Sequence, residues 1–344
     1  MRAGSSSSLA EVLTEPPDLD RAALAALLEA RWGLCDVGLR YLPLGFGSHH
    51  WEAVDARGER RFVSADDLEA PFQAGPDPAG SFAALERAFG TAAALRDLAG
   101  LEFVTAPLSD REGRVVHRLG QRYTVSLSPL LDGPGHEWGY WQEPSERREM
   151  AALLARLHAA SGLVPPGLPR RHDLTVPARR GLEEALADLD RDWGTGPYAE
   201  RVRGLLARHG AGLARRLAAY DELARRVGTD TSGWVVTHGE PHRANVVRDR
   251  GGALHLVDWD TALVAPRERD LMMVLDDALT GWDEYREVAG DLPLDRDAIR
   301  LFRAWWTLAD TAVFVAVFRN PHGDTEDTAA VWRNLEQDVP AAAG

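Results

Sequence analysis

Two short stretches hold most of the side chains that could do chemistry. One reads His238-Gly239-Glu240-Pro241-His242-Arg243-Ala244-Asn245, and the other, Asp258-Trp259-Asp260, begins thirteen positions after Asn245. Each follows a short apolar run, Val235-Val236 and Leu256-Val257. Moving a phosphoryl group needs a carboxylate beside the attacking hydroxyl. It also needs hard oxygen ligands for a magnesium ion bridging the phosphates. A base five residues before an amide ligand, with a second acid on the next strand, supplies that set. Glu240 takes the base position, and Asn245 and Asp258 take the metal positions. The stretch from Asn245 to Asp258 has the length of one hairpin.

Other chemistries fit these residues less well. His238, Glu240, His242 and Asp258 are zinc-ligand types. Their His-x-Glu-x-His spacing does not match the helical zinc motif. A zinc deaminase needs a cysteine pair, and Cys35 is the only cysteine. A serine hydrolase would show a Gly-x-Ser-x-Gly elbow, and the sequence has none.

The catalytic stretch needs elements to hold it. Residues 1–18 are rich in Ser, Pro and Glu and read as a disordered tail. Asp20 is placed to cap a helix over 21–31. Strands are expected at 40–44, 51–55, 61–65, 115–119 and 123–127, with a helix over 81–98. Gly45-Phe46-Gly47-Ser48 forms a turn between the first two strands. The run Leu130-Leu131-Asp132-Gly133-Pro134-Gly135 marks a hinge. Beyond it, helices are expected at 145–160, 181–189, 198–227 with a break near Gly210, 271–279, 297–318 and 328–335. One small strand pair, 234–237 and 254–257, brackets the catalytic stretch. The order predicts an α+β chain, strand-rich first and mostly helical after the hinge.

The 344 residues suit one large domain or two lobes. The formal net charge of −14 disfavours nucleic acid and favours cationic partners. There is no lysine, so all 39 basic residues are arginine. No apolar run approaches the roughly 18 residues of a membrane helix. The first residues lack the apolar core of a signal peptide. Cys35 is expected to be a small packed residue. Together these features predict a cytoplasmic chain without membrane contact. The acidic stretch Asp276, Asp277, Asp283 and Glu284 is either a solvated face or an amine-binding surface. Trp305 and Trp306 are either core or a wall of an acceptor pocket.

The motif pair His238 to Asn245 and Asp258 to Asp260 resembles that of the aminoglycoside phosphotransferase and choline kinase superfamily. Ala265-Pro266-Arg267-Glu268-Arg269-Asp270-Leu271 resembles the spectinomycin-phosphotransferase branch. The resemblance runs from Arg40 to Trp306 and is specific over 238–271. It implies a two-lobed, protein-kinase-like fold, with a small β-rich N-lobe (19–130) and a larger, mostly helical C-lobe (131–344). It further implies ATP, or GTP, with Mg2+, and a small hydroxylated, cationic acceptor such as an amino-sugar, in a monomer or homodimer. Glu240 matches the catalytic base, with His238 beside it, and Asn245 and Asp258 match metal ligands. His238 and Asp270 match positions that hold the loop in shape. Gly45, Gly47, Ser48 and His49 match the phosphate-covering loop, and Ser128 and Leu130 the adenine-contacting hinge. Asp260, Asp276 and Asp277 fall on the acceptor side. Two positions depart from the family. Glu240 stands where aspartate is usual. Ser64 stands where a third-strand lysine pairs with the phosphates, and Glu86 is that lysine's usual partner. These departures leave a kinase fold that binds without phosphoryl transfer as the alternative.

Overall fold

The computed structural model describes residues 13–344 apart from 46, 71–74, 76 and 137. Five antiparallel strands form the first sheet. They are β1 (Gly38–Leu42), β2 (Ser48–Val54), β3 (Arg60–Asp67), β4 (Val116–Leu119) and β5 (Tyr123–Pro129), in the order β1-β2-β3-β5-β4. Helix α1 (Arg21–Trp32) starts where the Asp20 side chain accepts the Ala22 and Ala23 N–H groups. It packs Leu24 and Leu28 onto Trp51, Val63, Ala65, Val125 and Leu127. Strand alternation then turns Ser48, His50, Ser64, Asp66, Thr124 and Ser126 to the opposite face.

Of the expected tail, residues 1–12 lie outside the described residues. Residues 13–18 run along the sheet instead of fraying. The Thr14 carbonyl accepts the Tyr41 hydroxyl at 2.9 Å, and Glu15 accepts the Trp51 indole N–H at 2.9 Å.

A second apolar cluster joins α2 (Pro78–Asp97) to α3 (Pro144–Ala159). Leu85, Phe89 and Leu95 meet Met150 and Leu154 there, together with Trp259 and Leu271 beside the catalytic stretch. The core therefore runs through the hinge instead of stopping at it. A third cluster holds α4 (Arg179–Ala187), α5 (Ala199–Val227), α8 (Arg296–Arg319) and α9 (Glu326–Ala343).

Several elements differ from expectation. Helix α5 runs unbroken through Gly210. A Cβ there would lie 3.0 Å from Leu186 Cδ2, and one at Gly212 would lie 2.4 Å from the Ala343 carbonyl. The glycines admit neighbouring helices, and that packing outweighs their low helix propensity. Helix α8 is long and apolar enough to cross a membrane by length and composition, contrary to the sequence reading. Its apolar window is 67% buried within the fold, as a core helix should be. The two runs flanking the catalytic stretch do not pair with each other. Instead β6 (Val235–Thr237) pairs with β9 (Leu263–Ala265), and β7 (Val246–Arg248) with β8 (Leu254–Leu256). The helix expected over 271–279 is α6 (Glu268–Val274), followed by a turn and by α7 (Trp282–Ala289). Cys35 is exposed, not packed.

Candidate active site

The stretch from His238 to Asn245 leaves β6 and is gripped from α6. Asp270 accepts the backbone N–H of His238 at 2.9 Å and of Gly239 at 2.6 Å. It also accepts His158 Nε2 at 3.0 Å, and His158 Nδ1 meets the Tyr285 hydroxyl at 2.8 Å. Burial acts to raise the Asp270 carboxyl. The hydrogen bond and charge of His158, with Arg269, outweigh it and hold the group below its usual value. Gly239 has φ +104°, and a Cβ on it would lie 2.2 Å from the Arg269 guanidinium. That guanidinium donates to Thr237 Oγ1 and to the Thr261 carbonyl. Only glycine meets both demands.

His238 is completely buried. Its Nε2–H donates to the Val257 carbonyl at 2.8 Å, and its Nδ1 accepts the Glu240 N–H at 3.2 Å. Both ring nitrogens are spent on backbone, and burial holds the imidazole down to about 4. His238 is thus a positioning residue that ties the loop to the strand before Asp258, the loop-holding role expected for it from the sequence.

The two motif halves meet through Asn245. Its Nδ2 donates to the Glu240 carbonyl at 3.1 Å, and its own carbonyl accepts the Val257 N–H at 2.9 Å. Asp258 follows with φ +65°, a left-handed turn uncommon outside glycine. Its surface opens to the groove beneath the sheet, while the surrounding chain crowds the carboxyl. That burial, with the charges of Glu240 and Asp66, pushes Asp258 up to about 6. Asp260 is raised well above its usual value by burial and by Asp258 and Glu240.

Among the described residues, no three His, Cys, Asp or Glu side chains converge tightly enough to hold a metal by themselves. Magnesium does not require that, since it keeps waters and takes phosphate oxygens beside one or two carboxylates. Oxygen donors at Asn245, Asp258 and Asp260, in mutually repelling surroundings, fit such an ion.

Residues 78–305 match the phosphotransferase enzyme family. The chain belongs to this family. It is 31% identical over 259 residues to Protein StrN of Streptomyces griseus, covering 71% of this chain and 74% of that protein. The fold is shared with a spectinomycin phosphotransferase in complex with ADP and spectinomycin. That likeness has TM-score 0.70 at 17% identity, over 94% of this chain and 98% of the other. An amicoumacin kinase in complex with AMP-PNP and Ca2+ gives 0.59 at 13% identity, over 94% of each chain.

Gly45 and Gly47, expected from the sequence in a phosphate-covering loop, have φ +77° and +93°; Phe46 lies outside the described residues. Ser48 donates to Asp66 at 2.7 Å. His49 does not face the groove. It lies on the α1 side of the sheet with Trp51 and Tyr123, its Nδ1 3.1 Å from the Tyr41 hydroxyl. Strand alternation gives the groove His50 instead, whose Nδ1 is 3.1 Å from Ser64 Oγ. Ser64 brings no charge to the groove, and Glu86 is exposed on α2. That face of β3 carries Arg60, which pairs with Glu52, and the buried Asp66, which accepts Thr124 Oγ1 at 3.0 Å and is raised by burial. Ser128 pairs with Phe62 at the hinge end of the sheet, and Leu130 follows, half-buried. Gly133 lets the hinge close on β7, since a Cβ would stand 2.3 Å from the Arg248 carbonyl.

The acidic stretch expected on the acceptor side follows α6. Asp276 accepts the Thr280 N–H and hydroxyl at 2.9 and 2.8 Å, which shapes the turn after α6. The Asp277 side chain is fully exposed, 3.5 Å from Arg303. Asp283 and Glu284 pair with Arg286 and Arg148. The acids that sequence reading missed lie on α8 and α9. Asp310 is raised well above its usual value by burial, by Asp338 and by Glu240. Tyr140 feels both aspartates. Trp138 and Tyr140 are exposed and 5.9 Å apart. Their segment is pinned to the catalytic stretch by Arg243 N–H to the Gly139 carbonyl and by the Trp141 indole to the Pro241 carbonyl. The available signal for Asp310 was a lone acid between Leu308-Ala309 and the apolar run that begins at Ala312.

Proposed function

We propose that this chain transfers the γ-phosphoryl group of ATP to a hydroxyl of a small cationic acceptor, an amino-sugar being the first choice. The observation that carries this reading is the setting of Glu240. Its charge acts on Asp258 and Asp260 at the strand edge and also on Asp310 in α8. A hydroxyl held at Glu240 would lie between oxygen ligands suited to a metal–nucleotide and an anionic pocket suited to an amine. Asn245 and Asp258 would hold Mg2+, which supplies charge neutralisation for the transferring phosphate. Glu240 orients the acceptor hydroxyl and takes its proton as the new O–P bond forms and the bond from the γ-phosphorus to the β,γ-bridging oxygen breaks, releasing ADP. Asp310 and Asp338 receive the ammonium, with Trp138 and Tyr140 offering aromatic faces to it. The nucleotide-bound states of the two solved relatives support the cofactor side of this reading.

A second reading is favoured by Ser64, which brings no charge to the position where the family carries lysine. On that reading the chain binds its ligand without transferring phosphate. Both are tested with ATP and Mg2+ over a panel of amino-sugars, small hydroxylated amines and neutral polyols, with Asp258→Asn alongside. Turnover that falls at least about 100-fold in the variant supports the kinase. Magnesium-dependent nucleotide binding without turnover anywhere in the panel selects the binder. Absence of both sinks the assignment.

A further inference from the structure

Arg269 on α6 is a buried cation that the mechanism leaves without a task. Its fork spans the two catalytic stretches. Nη1 donates to Thr237 Oγ1 at 2.9 Å, at the end of β6, and Nη2 donates to the Thr261 carbonyl at 3.1 Å. The Thr261 hydroxyl donates in turn to the His238 carbonyl at 2.8 Å. The plane of the guanidinium lies against Gly239, where an added Cβ would stand 2.2 Å from Nη2 and 2.4 Å from Cζ and Nη1. One rigid group thus touches the residue before Glu240 and the residue after Asp260.

Stability alone does not account for this arginine. Among the described residues, both oxygens it reaches are uncharged and its Nε has no partner. A buried guanidinium without a direct carboxylate carries a desolvation penalty that a packed apolar side chain would not. Burial disfavours its charge, while Asp270, Glu240 and Asp260 favour it from a distance. A lysine in its place would keep the charge but reach only one of the two oxygens, because an ammonium has no fork. A small misplacement of a reacting group can lower the rate about 100-fold. We propose that Arg269 is a positioning residue, a clamp that fixes the Glu240 carboxylate relative to the Asp258–Asp260 turn. Its effect on rate rests on the phosphoryl-transfer reading of the site; the clamp itself does not.

The first test compares the full chain with Arg269→Lys, using ATP, Mg2+ and the acceptor panel. Arg269→Lys is expected to unfold cooperatively in urea and to lower kcat about 100-fold, with KM for ATP and for acceptor within about threefold of the parent. A kcat that holds while KM rises would overturn the proposal, because it reports lost binding and not lost alignment. Loss of cooperative unfolding in Arg269→Lys would make the residue a structural one and overturn it as well. The second test needs no turnover. Glu240→Gln is made in the parent and in Arg269→Met, and the urea midpoints form a double-mutant cycle. Arg269→Gln takes the place of Arg269→Met if the latter does not fold. Removing the Glu240 charge should lower the midpoint more in the parent, where the buried cation faces it, than in the Arg269 variant. Equal shifts in the two backgrounds would overturn the clamp. Coupling in the cycle with no turnover in any chain would support the clamp and count against the phosphoryl-transfer reading. Turnover without coupling would do the reverse.

Discussion

Gly239 and Gly58 both hold a left-handed backbone, with φ +104° and +79°, yet their surroundings differ. Nothing lies within 4 Å of a Cβ at Gly58, whereas one at Gly239 meets the buried Arg269 guanidinium. Gly58→Ala should therefore cost only the backbone penalty, about 1 kcal/mol. Gly239→Ala adds displacement of a buried ion and should cost about 3 kcal/mol or more. Urea denaturation of the two variants checks the difference. His238 gives a pH prediction at the same scale. Its folded value near 4 lies below the 6.5 of a free imidazole. Neutral His238 thus favours folding above pH 6.5, and that contribution is lost as pH falls through 4. It amounts to about 3 kcal/mol. A His238→Asn variant should show a flatter fall in urea midpoint between pH 6.5 and 4 than the parent chain. An unchanged slope would remove His238 from the titration. Glu240 and Asn245 were legible in the sequence because five residues of one loop separate them. The tautomer and the spent nitrogens of His238 were not, since they depend on Val257 across the hairpin.

At the scale of elements, the strand edge carrying Asp258 meets the end of β3 carrying Asp66, and their charges conflict. Asp258 is raised to about 6. A raised carboxyl contributes stability below its unfolded value near 3.8, and this is lost as pH rises through 6. A divalent cation offsets the same repulsion once the acids are ionised. Magnesium with a nonhydrolysable ATP analogue should therefore raise the melting temperature more at pH 8 than at pH 5.5, which a thermal-shift series would measure. On the other side of Glu240, α8 and α9 bring Asp310 and Asp338 together. If these acids read an ammonium group, Asp310→Asn should raise KM for amine-bearing acceptors by about tenfold or more. The KM for a neutral polyol should stay nearly constant. Equal change for both classes would count against an amine subsite. Each helix could be expected from its periodicity, but the facing of these two acids could not. It arises from how α8 and α9 pack, and each helix alone gives only a position on a wheel.

Across the whole molecule, the sheet and α1 share one apolar cluster, while α2 belongs to another with α3, Trp259 and Leu271. The hinge at 130 is therefore a boundary for the strands and not for the core. A fragment ending at 130 should lack a cooperative unfolding transition, because α2 would lose the surface that Met150 and Leu154 provide. In the full chain, Met150→Ala should cost about 2–5 kcal/mol, as expected for truncating a buried side chain. Calorimetry would show whether unfolding remains a single transition. Two separate transitions in the parent chain would mean that the α2–α3 cluster does not couple the two regions.

Read alone, the sequence was enough to specify the fold class and the family. Hydrophobic period, caps and a thirteen-residue spacing act over short distances along the chain. Tertiary packing alone decided that His50, not His49, shares a sheet face with Ser64 and Asp66, that Asp66 lies near Asp258, and that Asp310 lies near Glu240 on its other side. It also decided that Asp276 is engaged with Thr280 in its own turn. Those outcomes depend on which face of a strand or helix is covered by a partner distant in sequence, and residue spacing carries no record of that partner.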